Sequence, residues 1–274
     1  MTDFILNNET TLRLGIFLSI LILMMIMEAL FPRKARVLKR GHRWTSNLLL
    51  IVIDTLFVRL VFPIVAVGVA AISLEKGWGL FNVTDLPLWA DVVLAIILLD
   101  MAIYWQHVAY HHVPFLWALH KVHHVDRDID VTTGSRFHPI EIGLSLAYKM
   151  CLVVILGAPV LAVIIFEIIL NGCAMFNHSN VKLPLSLDRL LRRFIVTPDM
   201  HRVHHSTIMS ETNSNYGFST SCWDRVFKSY TAQPSKGHEG MVIGLEEHQA
   251  SGPASLTWSL LLPFKPIKKL EKWL

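Results

Sequence analysis

Read for polarity alone, the chain alternates long apolar runs with short charged ones. Residues 1–11 are polar, and Leu14 to Phe31 is almost uninterrupted apolar sequence, close to the roughly 20 residues that cross a hydrocarbon core as a helix. Pro32 and a basic run end it. Leu48 to Leu74 is longer than one crossing needs; Asp54 and Arg59 lie inside it as an expected structural pair, and Pro63 predicts a kink or break. Leu88 to Val108 is a third run. Ile140 to Phe176 is long enough for two short spans of roughly 18 residues each, which predicts a hairpin turning at Gly157-Ala158-Pro159. From His178 onward the chain is polar and mixed, with Asn213-Ser214-Asn215-Tyr216-Gly217 as turn chemistry. The tail Leu256–Leu274 sets Trp258, Leu260, Leu261, Leu262, Phe264 and Trp273 among Lys265, Lys268, Lys269 and Lys272, the composition of a segment lying in the headgroup interface.

These elements predict an all-α integral membrane protein with four to five membrane-inserted helices and a cytosolic helical cap. Three regions follow: an N-terminal membrane region over 1–84, a central region over 85–235, and an interfacial tail over 236–274. Composition agrees. Hydrophobic residues make up 53% and charged residues 17%, against about a quarter charged in soluble proteins, and mean hydropathy is +0.47. No short apolar segment followed by a small-residue cleavage site is visible at the N-terminus, so the first run is expected to stay. Cys151, Cys173 and Cys222 form neither a disulfide framework nor a CxxC site.

The net charge of +4 is carried beside the apolar runs rather than along a nucleic-acid stripe. Arg33, Lys34, Arg36, Lys39, Arg40 and Arg43 crowd one linker, whereas 75–87 has one Lys and two acids. Basic loops stay inside and favour anionic headgroups, so 33–43 is placed in the cytoplasm and 75–87 opposite. The hairpin then matters for chemistry. A single pass across 140–176 would leave the histidines before and after it on opposite sides; two passes return both to the cytoplasmic face.

Those histidines are the candidate chemistry. Between Asp100 and Pro139 lie His107, His111, His112, His120, His123, His124 and His138, half of the fourteen in the chain. His201-Arg202-Val203-His204-His205 repeats the spacing of His120-Lys121-Val122-His123-His124. Residues four apart share a helix face, so His107 and His111 can address one metal, and each His-x-x-His-His triplet projects to one side. His112 points about 100° away from His111 and is expected to hydrogen-bond elsewhere or face solvent. Eight or nine imidazoles exceed the four ligands of a zinc site and fit two metals of higher coordination; imidazole alone suits Fe, Zn, Cu and Ni alike. His42, His238 and His248, each isolated, read as solvated surface residues.

Asp100-x-x-x-Tyr104-x-x-His107-x-x-x-His111, His120-x-x-His123-His124 and His201-x-x-His204-His205 together resemble the fatty acid hydroxylase/sterol desaturase superfamily. Arg136-Phe137-His138-Pro139, Phe176-Asn177-His178-Ser179-Asn180, Asn215-Tyr216-Gly217 and Trp223-Asp224 add to the likeness, which covers roughly residues 85 to 235. The resemblance implies an integral membrane di-iron oxygenase that uses O2 and electrons from a separate donor protein to hydroxylate or desaturate a lipid. It implies metal ligands at His107, His111, His120, His123, His124, His178, His201, His204 and His205, with zinc able to replace iron in recombinant protein. His138 is implied near the site as a supporting or gating residue, and Lys182 stands where some relatives have a further histidine.

Asp100, Asp126, Asp128, Asp130 and Asp199 are expected to orient imidazole N–H groups from behind, and Asp100 in its apolar run also has a packing role open to it, toward Tyr104 or Trp105. Two other readings compete: a membrane zinc hydrolase, which would need fewer histidines and a carboxylate base, and a metal transporter, which would need polar groups at mid-membrane rather than at span ends. No dinucleotide, haem or iron–sulfur motif is visible. The expected location is a membrane with the histidines on its cytoplasmic face, a bacterial inner membrane or the endoplasmic reticulum.

Overall fold

The computed structural model describes residues 4–5, 8–250 and 252–265. Ser251 and the end of the tail, with Lys268, Lys269, Lys272 and Trp273, lie outside the described residues. Among those described there are helices, turns and three isolated bridges but no strand, so the all-α expectation holds.

The principal helices are α1 (Glu9–Leu30), α2 (Arg40–Val61), α3 (Ala66–Lys76), α4 (Leu88–His112), α5 (Pro114–His124), α6 (Pro139–Leu156), α7 (Val160–Asn177), α8 (Leu185–Leu191) and α9 (Pro198–His204). Among the described residues five stretches are long and apolar enough to cross a membrane: Glu9–Leu30, Arg40–Asn82, Leu88–His112, Pro139–Leu156 and Val160–Asn177. Pro63 breaks the second stretch outright, with α2 ending at Val61 and α3 starting at Ala66. Proline removes a backbone donor and clashes with the preceding turn. α3, α4, α6 and α7 meet in a core of Ala66, Ala70, Val92, Ala95, Leu99, Leu146, Val153, Ala162 and Phe166. Small residues at these crossings let the backbones approach, which drives helix association where lipid is as apolar as leucine. Leu18, Ile22, Leu56 and Leu60 face outward.

The hairpin forms as expected. α6 ends at Gly157 in the left-handed region (φ +62), where the Gly157 and Ala158 amides donate to Val154 and Val153 carbonyls, and Pro159 starts α7. The loop after α3 sits directly on this turn. A Cβ on Gly79 would fall 2.0 Å from the Gly157 nitrogen, so only glycine fits. The 77–82 loop and the hairpin turn therefore share one end of the bundle, and all histidine segments share the other.

At the histidine end the basic linker is built in rather than spread on lipid. α2 starts at Arg40, well before the apolar run, because Arg43 is fully buried: it donates to Asp126 and Asp130 at 2.6–2.7 Å and to the Asp128 carbonyl. Arg33 donates to both oxygens of Asp199. Asp54 and Arg59 do not pair. Five positions set them about 140° apart on a helix; Asp54 is buried with one oxygen unpartnered, and Arg59 faces outward.

Candidate metal centre

Nine imidazoles converge where α4, α5, α7 and α9 meet. α4 contributes His107 and His111 from its last turns, Pro114 turns the chain into α5 with its triplet, His178 follows the last residue of α7, and α9 with the residue after it carries the second triplet. All nine are buried, at 0–3% exposure. They fall into two groups, His107, His111, His120, His124 and His204, and His123, His178, His201 and His205, with the candidate ligand atoms of each within 4.8 Å of one another.

Each triplet is divided between the groups. His120 and His124 enter the first while His123 enters the second; His201 and His205 enter the second while His204 enters the first. Residues i and i+4 diverge by about 40° on a helix, whereas i+3 and i+4 diverge by about 100°. One turn of helix thus straddles two centres. The expectation that each triplet projects as a unit is corrected to this crossed arrangement.

The outward nitrogens fix the tautomers. Nδ1 of His107, His123, His178 and His204 lies 2.7–3.2 Å from the carbonyl oxygens of Tyr216, Arg136, Ala174 and Ser214. A carbonyl only accepts, so each Nδ1 carries the proton and each Nε2 of the neutral ring is a bare lone pair. Burial pushes His178 down to about 3 and holds His123 and His204 well below the usual imidazole range, so these rings are neutral at pH 7. Yet His107 Nε2 faces His204 Nε2 at 3.1 Å, and His123 Nε2 faces His178 Nε2 at 3.0 Å. Neither member of either pair can donate. A cation shared by the lone pairs resolves both contacts, one in each group, so the donor set fits two metal ions. Nε2 of His111, His120 and His124 is also buried without a hydrogen-bond partner among the described residues.

Behind the rings, one carboxylate was missed by sequence reading. Glu141 Oε1 accepts from His120 Nδ1 at 2.6 Å, and its other oxygen is buried without a partner among the described residues. An acid in the first turn of an apolar helix was the available signal, kin to the ionisable side chain within an apolar run that singled out Asp100. Asn213 Oδ1 lies 3.3 Å from His111 Nδ1, and Phe137 stacks on His123 at 4.6 Å. The loop supplying the Ser214 and Tyr216 carbonyls is held by Asp224, which accepts from the Tyr216 and Gly217 amides, and by Asn215 at φ 53, whose amide donates to Met200 and Thr231.

The expected orienting aspartates are engaged elsewhere. Asp126 and Asp130 bind Arg43, Asp128 accepts from the Val37 and Leu38 amides, Asp199 binds Arg33 and Arg202, and Asp100 accepts from Trp223 Nε1 rather than from Tyr104 or Trp105. They stabilise the frame, held by arginine, indole and backbone N–H donors rather than by the cage imidazoles. His138 caps α6 through Nδ1, three residues before Glu141, and stands outside both groups. His112 meets Tyr216 Oη at 3.0 Å from an exposed position. His238 is not a surface residue: it is buried 3.6 Å from Asp199, and burial pushes it down to about 4. Lys182 follows the bridge between Pro32 and Val181, its amide donating to the Phe31 carbonyl.

A cavity of about 330 Å3 opens against His107 and His120 and runs between α4, α6 and α7, walled by Ile103, Phe137, Leu146 and Phe218.

Fold and site together define an all-helical integral membrane protein with a buried histidine cage beside an apolar cavity. The chain belongs to the fatty acid hydroxylase family, whose model matches residues 92–229, within the superfamily anticipated from the histidine spacing. It is 28% identical over 151 residues to the ornithine lipid hydroxylase OlsE of Rhizobium tropici, covering 54% of this chain and 44% of that protein. It is 28% identical over 177 residues to human alkylglycerol monooxygenase (64% of this chain, 37% of the relative). To mouse lathosterol oxidase it is 26% identical over 168 residues, 60% of this chain and 54% of the relative. The match therefore spans about half or less of the length of these relatives. No solved structure matches the chain.

Proposed function

We propose that this protein is an O2-dependent lipid oxygenase that hydroxylates or desaturates a C–H bond with two iron ions held by the cage. The facing pairs of bare Nε2 atoms, one in each group, carry the reading. His107, His111, His120, His124 and His204 hold one ion, and His123, His178, His201 and His205 the other. Bound iron supplies reductive use of O2 against an unactivated C–H bond. The chain's own residues do the rest. The four carbonyls fix ring orientation, Glu141 holds His120, and Phe137 closes the space beside His123. Ile103, Leu146 and Phe218 offer an apolar wall to a lipid chain and exclude water. Asp100, Asp199 and His138 act from outside, by setting the Trp223 loop, the Arg33–Arg202 tie and the start of α6.

The hydroxylase, monooxygenase and oxidase names of the relatives support the reaction class, and ornithine lipids, alkylglycerols and sterols are the first substrates to try. Electrons come from a separate donor protein. Residues 85–235 form the catalytic unit, 1–84 supplies Arg33 and Arg43 as props, and the described part of the tail braces the unit, with Arg136 donating to the Pro253 carbonyl and to Ser259. The histidine end faces the cytoplasm, as the basic linker packed there favours. Iron-loaded protein in nanodiscs, given these lipids, a reductant and 18O2, is expected to take up O2 and yield lipid gaining 18O or losing two hydrogens. No O2 uptake, with lipid cleaved by oxygen from water, would point to a hydrolase instead.

A further inference from the structure

The cavity has two chemically different ends. One abuts His107 and His120; the other is lined by Arg13 of α1, Lys149 of α6 and Glu167 of α7. Between them α6 presents Glu141, Ser145 and Lys149 at four-residue intervals, one above another on a single face. All three line the cavity together with Gln106, to which Ser145 donates at 3.2 Å. Lys149 stands two turns of helix below Glu141, about 12 Å at 1.5 Å per residue.

Charges at this depth are costly and mark function or its partner groups. Two cations share one carboxylate here: Lys149 Nζ donates to one oxygen of Glu167, and Arg13 pairs with the other. Arg13 also meets Glu9 at 3.1 Å, with both side chains more than a quarter exposed, a class of pair that contributes little. The Lys149 side chain is 15% exposed, Glu167 is its one acceptor among the described residues, and an ammonium has three donors. A tie between α1 and the hairpin would need Arg13 and Glu167 only. Lys149 adds a second cation beside Leu146, Leu170 and Asn171 of the wall, and its two remaining N–H donors have no acceptor among the described residues and can turn to the cavity.

We propose that Lys149 is a specificity-determining residue: it anchors an acidic group on the lipid that the cavity admits, with the chain running from there toward His107 and His120. The inference rests on the lipid-oxidising reading for the purpose of the cavity, and it assigns the substrate class as lipids bearing a carboxylate or phosphate, oxidised at a carbon remote from that group. Ser145 and Gln106, midway, have the polarity to meet a second oxygen on the chain.

The test is binding rather than turnover, so it stands apart from whether the protein oxidises anything. Hexadecyl phosphate, hexadecanoic acid and hexadecanol, each with a diazirine near the chain end, are photolysed with the protein in phosphatidylcholine nanodiscs, and labelled peptides are mapped. One charge-assisted hydrogen bond corresponds to about tenfold. Either anion, or both, should label the α4, α6 and α7 cavity segments about that much more than the alcohol, and which one does so separates phosphate from carboxylate. Lys149→Met should erase the excess, Lys149→Arg should keep it, and alcohol labelling should not change. Equal labelling by the alcohol in the wild type overturns the proposal without any variant. An excess that survives in a Lys149→Met protein with wild-type thermal unfolding overturns it as well.

Discussion

At the residue scale, metal binding by the cage depends on which ring nitrogen holds the proton. Four carbonyls settle that for four histidines, and Glu141 does the same work for His120. Partners that orient metal-bound imidazoles are worth about 10–100-fold in metal affinity. Glu141→Ala should weaken binding of the ion proposed for the His120 group by about that factor, while Glu141→Gln, which keeps an accepting oxygen, should lose less; competition titration with a chelator reads both. Acidity acts in a defined direction. His178 in the fold takes a proton only near pH 3, against 6.5 for an ordinary imidazole. As pH falls below about 6.5 the unfolded chain binds protons that the fold refuses, so stability falls across that window and is fully present above it. Metal-free protein should unfold at a clearly lower temperature at pH 5 than at pH 7.5, and a flat or reversed profile would contradict neutral buried rings. Eight of the nine histidines were legible because chelating spacing is written along the chain; His178, alone after the hairpin, was legible only through the family resemblance. Glu141 and the aspartates were not: which carboxylate lies behind a ring depends on side chains 21 or more residues apart meeting in space.

At the element scale the decisive feature is the α6–α7 hairpin, which returns His178 and α9 to the side of α4 and α5. Its length and the Gly-Ala-Pro turn were readable. Its seating was not, because nothing local announces that Gly79 will press on Gly157. Gly79→Ala forces a Cβ onto backbone at φ +93. It should cost about 2–4 kcal/mol, visible as a lower unfolding midpoint in detergent with metal content intact in the surviving fold. Arg43 is the other case. The basic linker was read as a headgroup contact, and polarity patterns cannot distinguish an arginine facing lipid phosphates from one driven into a nest of aspartates. Burial raises Asp126, and the Arg43 guanidinium more than offsets it, leaving that carboxyl below its usual range. Arg43→Met would strand Asp126 and Asp130 as buried, uncompensated charge at about 3–5 kcal/mol. Chemical unfolding should show that loss, and a near-neutral result would mean the nest opens to water.

At the scale of the whole molecule, two ends of one helical bundle divide the labour. The end with the 77–82 loop and the hairpin turn closes the fold, and the histidine end does chemistry, propped by residues from the N-terminal third. Single cysteines at Trp78 and at Arg127, in a cysteine-free background, should react with an impermeant maleimide from opposite faces of oriented vesicles; reaction from one face would contradict the five-span arrangement. The central claim is that the cage is two metal sites with crossed triplets. Metal content of the detergent-purified protein, beside the His123→Ala/His204→Ala double variant that removes one ligand from each group, tests it most directly. The account predicts two ions per chain, iron on reconstitution, falling well below that in the variant. One ion or none in the wild type, or a content that the variant leaves unchanged, would contradict it.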